Sequence, residues 1–312
     1  MNDVIIIGAG PAGLSAALTL GRMHRETVLL DAGSGRNAPA AAVHNLLLGE
    51  GLAPAELRRR AREQLAPYPS VRVVDAEVSE VAPGARFAVT LATGERVTAR
   101  RLLLATGVRD ELPPVEGLAE RWGRSVFHCP YCHGFEVTGR RVVVLGGGPA
   151  RARLAVQLRR SFADDVVLCA GGPPGLDDAT AAVVAAHGIA VREEPVLRLD
   201  DDAVVLAAGD DDGDSIAADA VFVPTTVRQR APFAADLGCA LLPDGAVEVD
   251  EFGRTSVPGV YAAGDLAHRA TLPMPVSAVV AAMAAGTVAA AMLDQDLLAA
   301  DTGLPDLLAA AR

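Results

Sequence analysis

The chain has 312 residues, with 28 Arg and no Lys set against 39 Asp plus Glu, a formal charge of −11, and half of its residues are apolar. That length is about two domains at roughly 100–200 residues each, and the apolar content excludes a disordered chain. The negative balance excludes nucleic acid and an anionic membrane surface as partners, and four Cys are too few for a secreted disulfide scaffold.

The chain opens on a buried strand at residues 4–7 without the basic leader and long apolar stretch of a secretory signal, so a cytoplasmic protein is expected. The strand runs into Gly8-Ala9-Gly10-Pro11-Ala12-Gly13 and a helix over about 14–22, and a second strand, 27–30, ends at Asp31. This order binds a dinucleotide for physical reasons. Gly8 permits the tight turn, Gly10 lets backbone approach a pyrophosphate, Gly13 lets helix pack on strand, and the helix N-terminus offers N–H groups to phosphate. Asp31 follows Gly13 by 18 residues, where a carboxylate accepts from a ribose hydroxyl.

An irregular stretch, 33–54, contains His44 and Asn45. An amphipathic helix over about 54–65 carries Arg58-Arg59-Arg60, which reads as a solvated face. Strands are expected at 71–74, 86–91, 96–98 and 101–104, with turns at Pro83-Gly84 and Thr93-Gly94. The last of them ends in Ala105-Thr106-Gly107. A second strand and glycine turn follow, 141–145 and then Gly146-Gly147-Gly148-Pro149-Ala150-Arg151, with a helix to 160 and a strand at 166–168. The final third holds short strands (204–207, 220–224), an acidic loop from Asp210 to Asp214 that reads as a solvated turn, and the motif Tyr261-Ala262-Ala263-Gly264-Asp265. The charge-free run 272–293 is Ala-rich and broken by Pro and Gly, so it reads as a buried helix over about 275–293 and not as a membrane span.

The most informative segment is Phe127-His128-Cys129-Pro130-Tyr131-Cys132-His133-Gly134. A Cys-X-X-Cys pair brings two sulfurs within bonding reach and lowers one thiol pKa, and near a βαβ pattern it reads as redox-active. The rival is half a zinc site, which lacks a second pair of ligands of suitable geometry, so no metal is expected. Cys169 and Cys239 stand alone beside apolar strands and read as inert core thiols.

These motifs, in this order, resemble the low-molecular-weight thioredoxin reductase family of FAD-dependent disulfide oxidoreductases over nearly the whole chain. The resemblance implies an α/β fold of two Rossmann-like (three-layer ββα) nucleotide-binding domains, the second inserted into the first. An FAD-binding domain would span 1–114 and 243–312, and an NAD(P)H-type domain carrying the Cys-X-X-Cys would span 115–242. It implies FAD contacts from Gly8, Gly10, Pro11, Ala12, Gly13, Asp31, Thr106, Gly107, Gly264 and Asp265, with Asp265 on the ribityl chain. His44 and Asn45 would line the flavin region, and the N-terminus of the last helix, near Val276, would face the flavin pyrimidine edge. Cys132 would be the flavin-proximal sulfur and Cys129 the one that exchanges with substrate. A homodimer is implied as well.

Three departures bear on function. Arg151 replaces the third glycine of the second turn, no acid ends the strand after it, and Pro173-Pro174 stand where the family has a 2′-phosphate clamp, so NADPH use is doubtful. His133 follows the second Cys in place of an acid; a His with a pKa near neutrality takes a thiol proton at working pH. Met274-Pro275-Val276-Ser277 replaces the usual Arg-Gln pair. The combination resembles the dithiol oxidases that close disulfides in natural products of the gliotoxin and holomycin type. Expected function is therefore oxidation of a small-molecule dithiol through Cys129 and Cys132, with His133 and His128 beside them and oxygen as acceptor. The alternatives are an NAD(P)H-dependent reductase of a protein disulfide and a non-enzymatic flavoprotein redox sensor.

Overall fold

The computed structural model describes residues 1–207 and 213–305, so Asp210 to Asp212 of the acidic loop lie outside the described residues. Two compact units emerge: residues 1–38, 54–109 and 228–312 form the first, and 39–53 with 110–227 form the second.

The first unit begins with β1 (Asn2–Ile7), α1 (Pro11–Arg22), β2 (Thr27–Asp31), α2 (Pro54–Glu63) and β3 (Val71–Asp75), the three strands parallel in the order β3-β2-β1. Val4, Ile5 and Ile6 are wholly buried, because a parallel sheet is covered on both faces. An antiparallel meander, β4 (Val78–Ala82), β5 (Phe87–Leu91) and β6 (Arg96–Leu104), continues the sheet. The break expected between 98 and 101 is absent, and β6 is one strand of nine residues. Its first half pairs with β5 and its second half with β1. Arg100 and Arg101, which interrupt the apolar pattern, are satisfied within the strand by ion pairs to Asp3, Asp301 and Asp296. The chain leaves along β7 (Val108–Glu111).

The second unit contains α3 (Leu118–Arg121), β8 (Val126–Phe127), α4 (Pro130–His133), β9 (Arg141–Leu145), α5 (Pro149–Ser161), β10 (Asp165–Cys169), α6 (Asp178–Ala186) and β11 (Ala190–Arg192). After these come β12 (Val196–Leu199), β13 (Ala203–Leu206), β14 (Asp214–Ala217) and β15 (Ala220–Phe222). Its main sheet is parallel, ordered β11-β10-β9-β15-β8, and β12-β13-β14 form a separate antiparallel sheet.

The chain returns along β16 (Thr226–Gln229) to α7 (Phe233–Asp236), β17 (Val247–Glu248), β18 (Val260–Ala262), β19 (Ala267–His268) and α8 (Val279–Thr302). The first unit resumes at 228, earlier than the expected 243, because Phe233, Ala234, Leu237 and Cys239 are buried in one cluster with Val89, Leu91 and Val247. The insertion likewise begins at 110 rather than 115, and 39–53 sort with it. The final helix starts later than expected, since the Ser277 and Ala278 N–H groups bond back to Pro275 and Val276 in a tight turn. It also runs on to Thr302, because Asp294 is neutralised by Arg25 at 2.6 Å and Leu297 is buried; Gly303, in the left-handed region, ends it. Among the described residues, no helix is long and apolar enough to cross a membrane.

Candidate active site

In the first unit, three segments converge on the turn between β1 and α1. Gly8 has φ 108°, and a Cβ there would lie 2.3 Å from the Ala105 carbonyl oxygen, so Ala105-Thr106-Gly107 presses directly on the turn. A Cβ on Gly13 would sit 1.9 Å from the Gly8 oxygen, and one on Gly264 would sit 3.1 Å from Ala12 Cβ. From behind, α8 closes on α1: a Cβ on Gly286 would meet the Ala12 oxygen at 2.0 Å. Against this crowding, a Cβ on Gly10 would meet nothing within 4 Å, and no side chain caps α1, which starts with Pro11 in its first turn. An uncrowded glycine at an uncapped helix N-terminus fits a diphosphate. The expected FAD residues Gly8, Gly10, Pro11, Ala12, Gly13, Thr106, Gly107, Gly264 and Asp265 are thus brought together. Asp265 is ion-paired to Arg36 at 2.8 Å, a residue that no sequence pattern singles out. Val276 is exposed in the turn before α8 and not at the helix start.

Asp31 is held by this chain's own groups. It is buried, and its oxygens are held by Arg58 Nη2 at 2.9 and 2.8 Å, by Arg62 at 3.1 Å and by the Gly33 N–H at 2.8 Å. The run Arg58-Arg59-Arg60 therefore divides. Arg59 and Arg60 are solvated and pair with Glu56 along the helix, while Arg58 turns inward.

The second glycine turn has a different shape. Gly148, which corresponds to Gly10, adopts φ 91°, ψ 168°, whereas Gly10 adopts φ −76°, ψ −177°. Its N–H is spent on the Pro174 carbonyl at 2.7 Å, and a Cβ on Gly147 would lie 2.9 Å from that same oxygen. The stem of Arg151 packs along Gly146, at 3.6 Å from the position of a Cβ there, and burial pushes its pKa down. A diphosphate needs such N–H groups and such space, and here both are taken up by Pro174.

The redox segment lies in the second unit. Strand β8 delivers His128 and Cys129, and Pro130, which needs no N–H partner, starts α4 with Cys129 as its N-cap. The Cys132 and His133 N–H groups both bond to the Cys129 carbonyl at 3.2 Å, which folds the pair into one turn. Gly134 closes the turn, since a Cβ there would lie 2.3 Å from the Pro130 oxygen. His128 stacks on Trp122 at 5.4 Å, and His133 stacks on Phe127 at 4.3 Å.

His133 does not have the near-neutral pKa expected from sequence. Burial, reinforced by the nearby His44 and His128, pushes it down to about 4, so the ring is neutral at physiological pH and a weak base. A cavity of about 300 Å³ opens beside it, lined by Cys132, His44, Asn45, Glu50, Glu136, Pro130, Tyr131, Phe135 and Phe162. Asn45, expected to line the flavin region, stands on this wall, with φ 58° and its N–H on Glu50 at 2.8 Å. His44 Nδ1 meets Glu50 at 2.7 Å and its Nε2 meets Glu136 at 3.4 Å. Hydrogen bonding from His44 holds the Glu50 carboxyl below its usual range. Neither glutamate was singled out from sequence, because acids in irregular segments carry no pattern. Cys169 and Cys239 are buried, and burial pushes the Cys169 thiol up to about 12, which makes it unreactive.

Comparison with known proteins accords with this geometry. Thioredoxin reductase tcpT of Claviceps purpurea is 34% identical over 310 residues, covering 95% of each chain. Thioredoxin reductase sirT of Leptosphaeria maculans is 32% identical, covering 96% of this chain and 95% of its own. The crystal structure of HlmI matches with a TM-score of 0.87 at 37% identity, over 97% of this chain and 94% of that one. A family model described as pyridine nucleotide-disulphide oxidoreductase matches residues 2–286, and the chain belongs to that family of FAD-binding oxidoreductases.

Proposed function

We propose that this chain is an FAD-dependent dithiol oxidase that forms disulfides in its substrate through Cys129 and Cys132 and needs no nicotinamide nucleotide. The observation that carries this reading is the second glycine turn, whose Gly148 N–H is already spent on Pro174 and whose third glycine is Arg151. The cavity beside Cys132 supports a compact substrate, since about 300 Å³ is the lower end of small-molecule sites.

With the pair oxidised, a substrate thiolate attacks one of its sulfurs, the enzyme S–S bond breaks and a mixed disulfide forms. The second substrate thiolate then displaces the enzyme sulfur. Two electrons pass from substrate to the pair, the pair is left as a dithiol, and the substrate leaves as a disulfide. FAD, when bound, supplies the acceptor for that electron pair, with oxygen as final oxidant and hydrogen peroxide as product. Because His133 is a weak base and both His44 nitrogens face carboxylates, the substrate in this reading gives its thiol proton to solvent and reacts as the thiolate. A homodimer and a cytoplasmic setting belong to the same reading: they rest on the likeness to thioredoxin reductases and on a chain whose remaining cysteines are buried thiols.

Anaerobic mixing tests the proposal. Dithiothreitol bleaches the yellow holoenzyme, and micromolar NADPH does not; rapid bleaching by NADPH would overturn it. That second outcome would support an NAD(P)H-dependent disulfide reductase, the reading favoured by relatives named thioredoxin reductase.

A further inference from the structure

We propose that Arg58, rather than Asp31, is the group that meets the adenosine half of FAD at the end of β2. An ionised carboxylate offers about four acceptor positions. Those of Asp31 are filled by the Gly33 N–H and Arg58 Nη2 on one oxygen, and by Arg58 Nη2 and Arg62 Nη1 on the other. Asp31 is also only 4% exposed. A ribose hydroxyl has no acceptor left there.

Arg58 is in the opposite condition. Its side chain is 20% exposed, and its guanidinium is fixed on two sides, by Asp31 and by the Gly33 carbonyl at 2.8 Å. Its Nε is buried with no hydrogen-bond partner. An orphaned buried donor is costly, so the site is incomplete as it stands. A planar guanidinium held in place donates to hydroxyl or ring-nitrogen acceptors and also stacks on an aromatic base. Both are properties of an adenosine. Asp31 then acts through Arg58 as a positioning residue, and the acid that ends β2 is retained with a changed task.

Competition between FAD and FMN for the holoenzyme tests this, because FMN carries the flavin and one phosphate but no adenosine. Loss of one charge-assisted contact is worth about tenfold in affinity, so Arg58→Met lowers the FAD-to-FMN affinity ratio by about that factor. Asp31→Asn lowers the ratio too, and the double variant falls no further than Arg58→Met alone. If Asp31 itself held the ribose, Arg58→Met would release its oxygens. The ratio would then stay level or rise while Asp31→Asn alone lowered it, and that result overturns the proposal. Should Arg58→Met fail to fold, Arg58→Lys decides: it keeps the cation but not the planar fork, so a lowered ratio supports the assignment and an unchanged one removes it.

Discussion

His44 stands between two carboxylates, Glu50 on Nδ1 and Glu136 on Nε2. The wall beside Cys132 sets two carboxylates against one imidazole, and among the described residues no Arg lines the cavity. Such carboxylates attract a cationic substrate and repel an anionic one, and solvent screens the effect. Oxidation rates, corrected for thiol pKa, therefore fall from a dithiol amine to dithiothreitol to dihydrolipoate. Glu136→Gln compresses the series, and so does added salt. Equal kcat/KM for the cationic and anionic dithiols would remove the charge argument. The same residues show what a sequence reveals at this scale. Cys129, Cys132 and the glycines are legible because their chemistry lies in local spacing. The partners of His44 and Asp31 are not, because Glu136 and Arg58 reach them only after the chain has folded.

At the scale of elements, the glycines of the first turn separate space from conformation. Gly10 has φ −76°, which any residue adopts, and open space around it; Gly13 is buried against the Gly8 oxygen. Gly10→Ala should leave fold stability within about 1 kcal/mol, the range for Gly and Ala at such a cap, while weakening FAD binding by obstructing the diphosphate approach. Gly13→Ala forces α1 away from β1 and costs roughly 1–3 kcal/mol, as overpacking does. Denaturant melts of both variants, with FAD retention measured alongside, check the pair; equal stability losses would contradict the crowding described. Elements of strong local pattern, β1, α1, β2, β9 and α5, were legible within a few residues. Weakly patterned ones were not. Nothing in the local pattern marks α6, and β6 reads as two strands because Arg100 finds its acids, Asp3 and Asp301, far along the chain. The end of α8 was missed for the same reason, since Asp294 looks like a stop until Arg25 is known to meet it.

At the scale of the whole molecule, one chain repeats a strand, glycine turn and helix, and its second unit carries a cluster of imidazoles around the redox pair. That cluster makes the second unit acid-sensitive in a definite window. His133 is favoured as the neutral ring in the folded state, with a pKa of about 4, against about 6.5 in an unfolded chain. Its contribution is therefore complete above pH 6.5 and is lost as pH falls from there toward 4, because the unfolded state binds the proton first. The carboxyls held lowest, Glu56, Glu194 and Asp219 at about 2, are partly exposed and keep their arginine pairs through that window, so they contribute little slope within it. The chain's single tryptophan, Trp122, stacks on His128 in the same unit as His133, which makes its emission a local reporter. Urea melts followed by Trp122 fluorescence should show stability declining from pH 6.5 to 4, and His133→Asn should flatten that decline while lowering stability at pH 7 by loss of its stack on Phe127. A parent protein whose Trp122-reported stability stayed level across the window would show that His133 is protonated in the folded state as readily as in the unfolded one.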